Sequence, residues 1–214
     1  MSEDILPKII NETINWIDII PTLRGFKKGT TEYKKSEKET INDIIKEVRK
    51  INPHGLNVEN RIKAIIGQIV VLKAWTIVNK NVKTTNGLKT DYLVGDKKGE
   101  FKMIFSSYPY KNGLKDNKIM SPSQISSPDV LSNYQSNVDE ASYSYIDDLK
   151  KGNIIIYRLS SKDLEKLVNQ NFNKIKIDFL NGEIDYHGNR KIMMHIPTEI
   201  IDKIAKKVII FENK

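Results

Sequence analysis

Two acidic residues and a lysine, separated by a short glycine-bounded segment, form the most informative pattern in this 214-residue sequence. Asp91 precedes the residues Tyr-Leu-Val, and Glu100 and Lys102 follow residues 95–99. Because side chains alternate along a strand, Glu100 and Lys102 are predicted to share one face, with Asp91 opposite them across a hairpin. Mg²⁺ prefers one or two carboxylates, water and a substrate phosphate. The pattern therefore predicts a magnesium site whose lysine positions an attacking water and stabilises charge on phosphorus.

These residues resemble the D…(D/E)-x-K signature of the PD-(D/E)xK nuclease superfamily, which includes many type II restriction endonucleases. Thr90 stands where the signature often has proline. The resemblance implies a Mg²⁺-dependent endonuclease that hydrolyses phosphodiester bonds of double-stranded DNA. It implies catalytic roles for Asp91, Glu100 and Lys102, with the two carboxylates as metal ligands. It also implies a homodimer with one site for each DNA strand.

An ordinary charged hairpin, with its glutamate and lysine solvated, is the alternative interpretation of the same residues. Apolar residues alternate with the motif residues along 100–105, which favours a strand that is buried on one face. A second group of acids surrounds an Asn-Gly pair but lacks a lysine two residues after its glutamate. We interpret this group as a solvated hairpin; its members are Asp178, Glu183 and Asp185.

Three helices are predicted before the motif. Apolar spacing indicates helices over 3–20, 31–50 and 57–79, and the third is apolar on more than one face, as expected of a core helix. In the resembled family this last helix often adds an acidic or polar side chain to the metal site. Glu59 and Gln68 are both candidates for that accessory role.

The remaining pattern is mixed. Strands are predicted at 91–94 and 100–105 around a turn at 95–99, followed by a long loop over 106–127 and a helix over 128–150. Asn181-Gly182 predicts a hairpin. The other predicted elements are strands at 153–157, 174–180, 183–186, 191–196 and 208–211, and helices at 161–170 and 197–206.

The element order predicts an α/β or α+β fold, and the resemblance implies a restriction-endonuclease-like central mixed sheet flanked by helices. We expect one domain over residues 1–214. Within it, residues 1–55 would form an N-terminal helical region, 56–160 a catalytic core, and 161–214 further mixed elements.

Composition limits the function classes. The sequence has no cysteine, which excludes disulfide scaffolds, cysteine-based zinc or iron–sulfur sites and thiol nucleophiles. Its 35 basic and 27 acidic residues give a net charge of +8, which favours a polyanionic partner. The first residues lack the features of a signal peptide, and Gln68 and Lys73 interrupt the longest apolar stretch. We therefore expect a soluble cytoplasmic protein that does not enter a membrane.

Lysines and polar side chains near the motif are candidates for contacts with DNA phosphates or bases. Two other functions remain open. The chain could bind nucleic acid without cleaving it, or it could be an interaction module that uses helices 3–20 and 31–50 as a partner surface. The candidate DNA-binding residues are Lys97, Lys98, Lys111, Lys115, Lys118, Ser121, Ser123 and Gln124.

Overall fold

The computed structural model describes residues 5–50, 58–85, 91–105, 118–120, 139–147, 153–163, 166, 170, 176–184, 190–197 and 203–212. Five helices precede the strands, and further helical residues at 161–163, 166, 170 and 203–204 lie between strands, so the fold is a mixture of α and β structure. In the described part of the chain, no helix is both long and apolar enough to cross a lipid bilayer. Within the described ranges, the helices that precede the strands are α1 (Ile5–Glu12), α2 (Ile14–Ile17), α3 (Ile19–Leu23), α4 (Thr31–Val48) and α5 (Val58–Val78).

The predicted helix over 3–20 is divided into the three short helices α1, α2 and α3. Thr13 separates the first two, and its hydroxyl donates to the Ile9 carbonyl at 2.8 Å. Pro21 lies in α3, where it has no N–H to donate to the carbonyl four residues earlier. The predicted helices 31–50 and 57–79 are confirmed as α4 and α5. Thr30 caps α4, since its Oγ1 accepts a hydrogen bond from the Tyr33 amide at 3.3 Å.

Nine strands are assigned within the described ranges, and they form two sheets. The larger sheet is mixed, because β3 and β5 are parallel while its other neighbouring strands are antiparallel. Its strand order is β1 (Val82–Thr84), β2 (Tyr92–Val94), β3 (Lys97–Phe105), β5 (Glu140–Asp147), β6 (Asn153–Ser160), β9 (Lys206–Phe211). The smaller sheet is antiparallel, in the order β4 (Lys118–Met120), β8 (Arg190–Pro197), β7 (Lys176–Ile184).

The core lies between the helices and one face of the larger sheet. Buried residues of α1 to α4 pack around α5, and α5 packs on the sheet through Trp75, whose ring centroid is 4.8 Å from that of Tyr92. We call this side of the sheet the α5 face and the opposite side the far face. The α5 face includes Tyr92, Phe101, Ile154 and Ile156, all of which are buried.

Two predictions between residues 106 and 150 are wrong, and one short strand was missed. The helix predicted over 128–150 is a strand at residues 140–147, because Ala-Ser-Tyr-Ser-Tyr-Ile alternates with a period of two and aromatic residues favour strands. The loop predicted over 106–127 contains a strand at 118–120; its other residues lie outside the described ranges. The short strand β1 at 82–84 was not predicted at all. Three residues are too few for alternation to be recognised.

The hairpin predicted at Asn181-Gly182 is also wrong. Strand β7 continues through both residues, and its register against β8 shifts between Phe179 and Ile184. The Asn-Gly pair therefore lies in an irregular part of the ladder, a common place for glycine within a strand. Ile184 pairs with Arg190, so the connection follows Ile184. The helix predicted over 197–206 is limited to residues 203–204 among those described, since Pro197 ends β8 and residue 206 begins β9.

Candidate active site

Asp91 is fixed at the start of β2 by hydrogen bonds to the two residues that flank Glu100. Its backbone N–H donates to the Gly99 carbonyl at 2.9 Å. Its Oδ2 accepts a hydrogen bond from the Phe101 N–H at 2.7 Å. The β2–β3 turn explains this placement: Gly95 has φ +59°, which suits a two-residue hairpin turn, and Val94 pairs with Lys97. The turn is therefore tighter than the predicted segment 95–99.

Helix α5 contributes Gln68 to the same place. The Gln68 Nε2 donates to Asp91 Oδ1 at 3.4 Å, and both residues are half-buried. Gln68 precedes Trp75 by seven residues, so the two lie two turns apart on one side of the helix. Trp75 packs on Tyr92, and Gln68 accordingly reaches the neighbouring Asp91.

Glu59, the other accessory candidate, is exposed in the first turn of α5. Nine residues separate Glu59 from Gln68, which corresponds to about 13 Å along a helix axis. The structure therefore brings Gln68, and not Glu59, to the Asp91 carboxylate.

Glu100 and Lys102 lie in β3, where the parallel register pairs Glu100 with Ala141 and Lys102 with Tyr143. Phe101, between them, is buried on the α5 face. Strand alternation assigns positions 100 and 102 together to the far face. The side chains of Glu100 and Lys102 lie outside the described part of the structure.

The carboxylate and amide oxygens at Asp91 and Gln68 are ligands of the type that a hard divalent cation prefers. A carboxylate has about four acceptor sites on its two oxygens, and Asp91 accepts two hydrogen bonds, both from neutral groups. No described lysine or arginine forms an ion pair with it. The Gln68 amide also carries an oxygen that can bind a cation when the amide is turned. Because Mg²⁺ prefers oxygen ligands, the oxygen atoms of Asp91 and Gln68 are chemically suited to it.

A second carboxylate, Glu140, lies at the start of β5 and was not identified from the sequence. It is 6% exposed and forms a two-point ion pair with Arg158, with distances of 3.1 Å from Nε to Oε1 and 2.7 Å from Nη2 to Oε2. The Tyr92 hydroxyl donates to Glu140 Oε1 at 2.8 Å and is also hydrogen-bonded to Ser142. Burial, and then the nearby Glu140 charge, raise the pKa of Tyr92.

The sequence carried one weak signal for this buried cluster. Arg158 interrupts an otherwise apolar run in β6, and a charged residue inside a buried strand requires a partner. The partner could not be identified, because Glu140 is 18 residues away and was placed in a predicted helix.

The candidate DNA-binding residues are only partly described. Lys97 and Lys98 begin β3 and are exposed. Lys118 is in β4, and its side chain lies outside the described part of the structure. The other candidates fall outside the described ranges: Lys111, Lys115, Ser121, Ser123 and Gln124.

Comparison with protein-family models gives no match for this chain, and no curated protein sequence matches it either.

Proposed function

We propose that this protein is a Mg²⁺-dependent DNA endonuclease of the restriction-endonuclease-like fold, acting as a type II restriction enzyme. The observation that carries the proposal is the position of Asp91. Its backbone and its carboxylate are hydrogen-bonded to Gly99 and Phe101, on either side of Glu100, while the Gln68 amide of α5 meets its other oxygen. These contacts join Asp91 to α5 through Gln68 and to the β3 backbone on both sides of Glu100, and they support a site centred on Asp91.

The surrounding fold supports the same proposal at a coarser level. The motif strands β2 and β3 lie inside a mixed sheet, and α5 packs on one face of it. Rigid elements of this kind hold catalytic groups more accurately than loops do. The resemblance implies a central mixed sheet with flanking helices, and a mixed sheet with α5 on one face supports the proposal to that extent.

Each residue has a defined role in the proposed reaction. Asp91, Glu100 and the Gln68 amide would hold the metal, which when bound supplies a Lewis acid and an activated water. Lys102 follows Glu100 by two positions, where its ammonium group would orient the water and stabilise the charge that develops on the phosphate. Asp91 meets only neutral donors among the described residues, so its charge is available to a cation.

The interaction-module alternative has less support. It requires apolar surface on the N-terminal helices, but Ile9, Ile17, Ile20 and Ile44 are all buried in the core formed with α5. The non-catalytic DNA-binding alternative remains distinct, since it predicts binding without metal and without dependence on Asp91.

The direct test is cleavage of unmethylated, amplified DNA of several base compositions, which avoids any assumption about the recognition sequence. We expect discrete fragments with Mg²⁺ and intact DNA with EDTA. Asp91→Asn and Lys102→Ala should each reduce cleavage by about a hundredfold or more. Asp96→Asn is the matched control, because Asp96 is an exposed carboxylate in the turn of the same hairpin.

Two results would contradict the proposal. Intact DNA with both Mg²⁺ and Mn²⁺ would reject endonuclease activity, and equal cleavage by Asp91→Asn and wild type would reject this site. The proposed homodimer is tested separately by sedimentation of the purified protein with and without DNA.

A further inference from the structure

Strand β1 contributes a lysine near the proposed site, and no sequence pattern linked this lysine to the site. Lys83 pairs with Leu93 of β2, and Leu93 pairs with Lys98 of β3. Directly paired residues of antiparallel strands have their side chains on the same face, so these three form one row across the sheet. Adjacent strands are about 4.8 Å apart, and the main chains of Lys83 and Lys98 are therefore separated by about 10 Å.

The row belongs to the far face. The neighbouring row consists of Val82, Val94 and Lys97; Val82 is buried and Val94 packs against the same core. That neighbouring row is therefore on the α5 face, and alternation places Lys83 and Lys98 on the other side. Lys97 and Lys98 are consecutive in sequence but belong to opposite faces.

Lys98 shares its face with the motif positions. It precedes Glu100 by two residues, or about 6.6 Å along a strand, and Lys102 follows on the same face. Lys83 and Lys98 are exposed, and among the described residues neither ammonium group has an ion-pair partner. The nearby Asp139 carboxylate accepts the Lys98 backbone N–H at 2.7 Å.

We infer that Lys83 and Lys98 bind the DNA backbone at phosphates next to the scissile one, and that Lys97 does not. This inference rests on the proposed function for the identity of the polyanion. Two exposed ammonium groups on either side of a half-buried leucine fit phosphate oxygens flanking a sugar. Lys97 carries the same charge but belongs to the opposite face of the sheet, so it lies outside this row.

The test compares three variants that each remove one positive charge: Lys83→Gln, Lys98→Gln and, as the matched control, Lys97→Gln. Binding to a labelled 30-base-pair duplex is measured by fluorescence anisotropy in EDTA over a range of salt concentrations. Each lost phosphate contact should reduce the slope of log K against log salt by about 0.9. We expect that reduction for Lys83→Gln and Lys98→Gln, about twice that for the double variant, and a wild-type slope for Lys97→Gln.

The inference is wrong if all three single variants weaken binding equally, since that result would indicate only overall charge. Absence of DNA binding by the wild type at low salt would also overturn it. Its failure is separable from that of the proposed function. If the protein cleaves DNA but no lysine variant changes the salt slope of binding, only the role of Lys83 and Lys98 is rejected. If Lys83 and Lys98 are needed for binding but Mg²⁺ produces no cleavage, only the nuclease function is rejected.

Discussion

Asp91 and Glu140 are carboxylates at the starts of β2 and β5, two strands of the same sheet. The two differ in burial and in the charge of their hydrogen-bond partners. Glu140 is buried, paired at two points with Arg158 and hydrogen-bonded by Tyr92. Asp91 is half-buried and meets one amide side chain and one backbone N–H. A buried carboxylate that is paired with an arginine must keep that partner for the fold to hold, whereas one with neutral partners retains its charge for a ligand. The comparison therefore separates a structural acid from a candidate functional one.

The largest expected effect is the loss of the arginine that neutralises Glu140. Arg158→Met leaves a buried carboxylate without its partner, and such changes cost about 3–5 kcal/mol of unfolding free energy. Urea denaturation measures the change. The double variant Arg158→Met with Glu140→Leu should recover much of the loss, because no buried charge remains. A double variant that is no more stable than the single one would show that packing, and not charge, makes Arg158 necessary. Exposed Lys50 is the control, since breaking its pair with Glu47 should cost at most about 1 kcal/mol.

The next effect concerns the close contact between β2 and β3 behind the site. A Cβ added at Gly99 would overlap the Tyr92 ring, so the ring occupies the space that any side chain would need. Gly99→Ala should therefore destabilise the protein by about 1–3 kcal/mol through overpacking. In a Tyr92→Leu background the same substitution should cost less, and thermal unfolding of the four variants in this cycle measures the difference. Equal costs in both backgrounds would contradict the proposed contact.

Alkaline pH should weaken the cluster around Glu140. Burial and the Glu140 charge raise the pKa of Tyr92, so the folded state retains its proton at pH values where the unfolded chain, with a pKa of about 10, loses it. The contribution of Tyr92 to the free energy of unfolding is therefore fully present below about pH 10. It declines as the pH rises further, by at most about 1.4 kcal/mol per pH unit for one group. Tyr92→Phe should reduce this decline in urea denaturation at pH 9 to 11.

Tyr33 in α4 is a second contributor to the same decline. Burial, together with the Asp18 carboxylate, raises the pKa of Tyr33 to about 12. The sign is the same, and Tyr33→Phe should flatten the decline between about pH 10 and 12. If neither tyrosine variant changes the pH dependence, neither of these groups is responsible for alkaline destabilisation.

Sequence patterns located the elements of the Asp91 region but not the interior of the Glu140 region. The helix over 57–79 and the hairpin after Asp91 depend on local periodicity and on glycine, so they could be predicted. The choice between Glu59 and Gln68 could not be made, because it depends on which side of α5 faces the sheet at each turn. The pairing of Glu140 with Arg158 depends on which strands are neighbours in the sheet. Local sequence patterns do not reveal this for two residues that are 18 positions apart.

Replacing each acid by its amide should affect stability differently at the two positions. The smallest change in unfolding free energy is expected at Asp91. Asp91→Asn retains an oxygen that accepts the Phe101 N–H, and the contact with Gln68 is long at 3.4 Å. We therefore expect a change in unfolding free energy of less than about 1 kcal/mol, together with loss of the proposed Mg²⁺-dependent cleavage. Glu140→Gln removes the charge that Arg158 needs and should destabilise the protein by more than Asp91→Asn does. Urea denaturation and DNA cleavage, measured on the same preparations, check both. A strongly destabilised Asp91→Asn would assign Asp91 a structural role like that of Glu140, because its carboxylate would then be required by the fold itself.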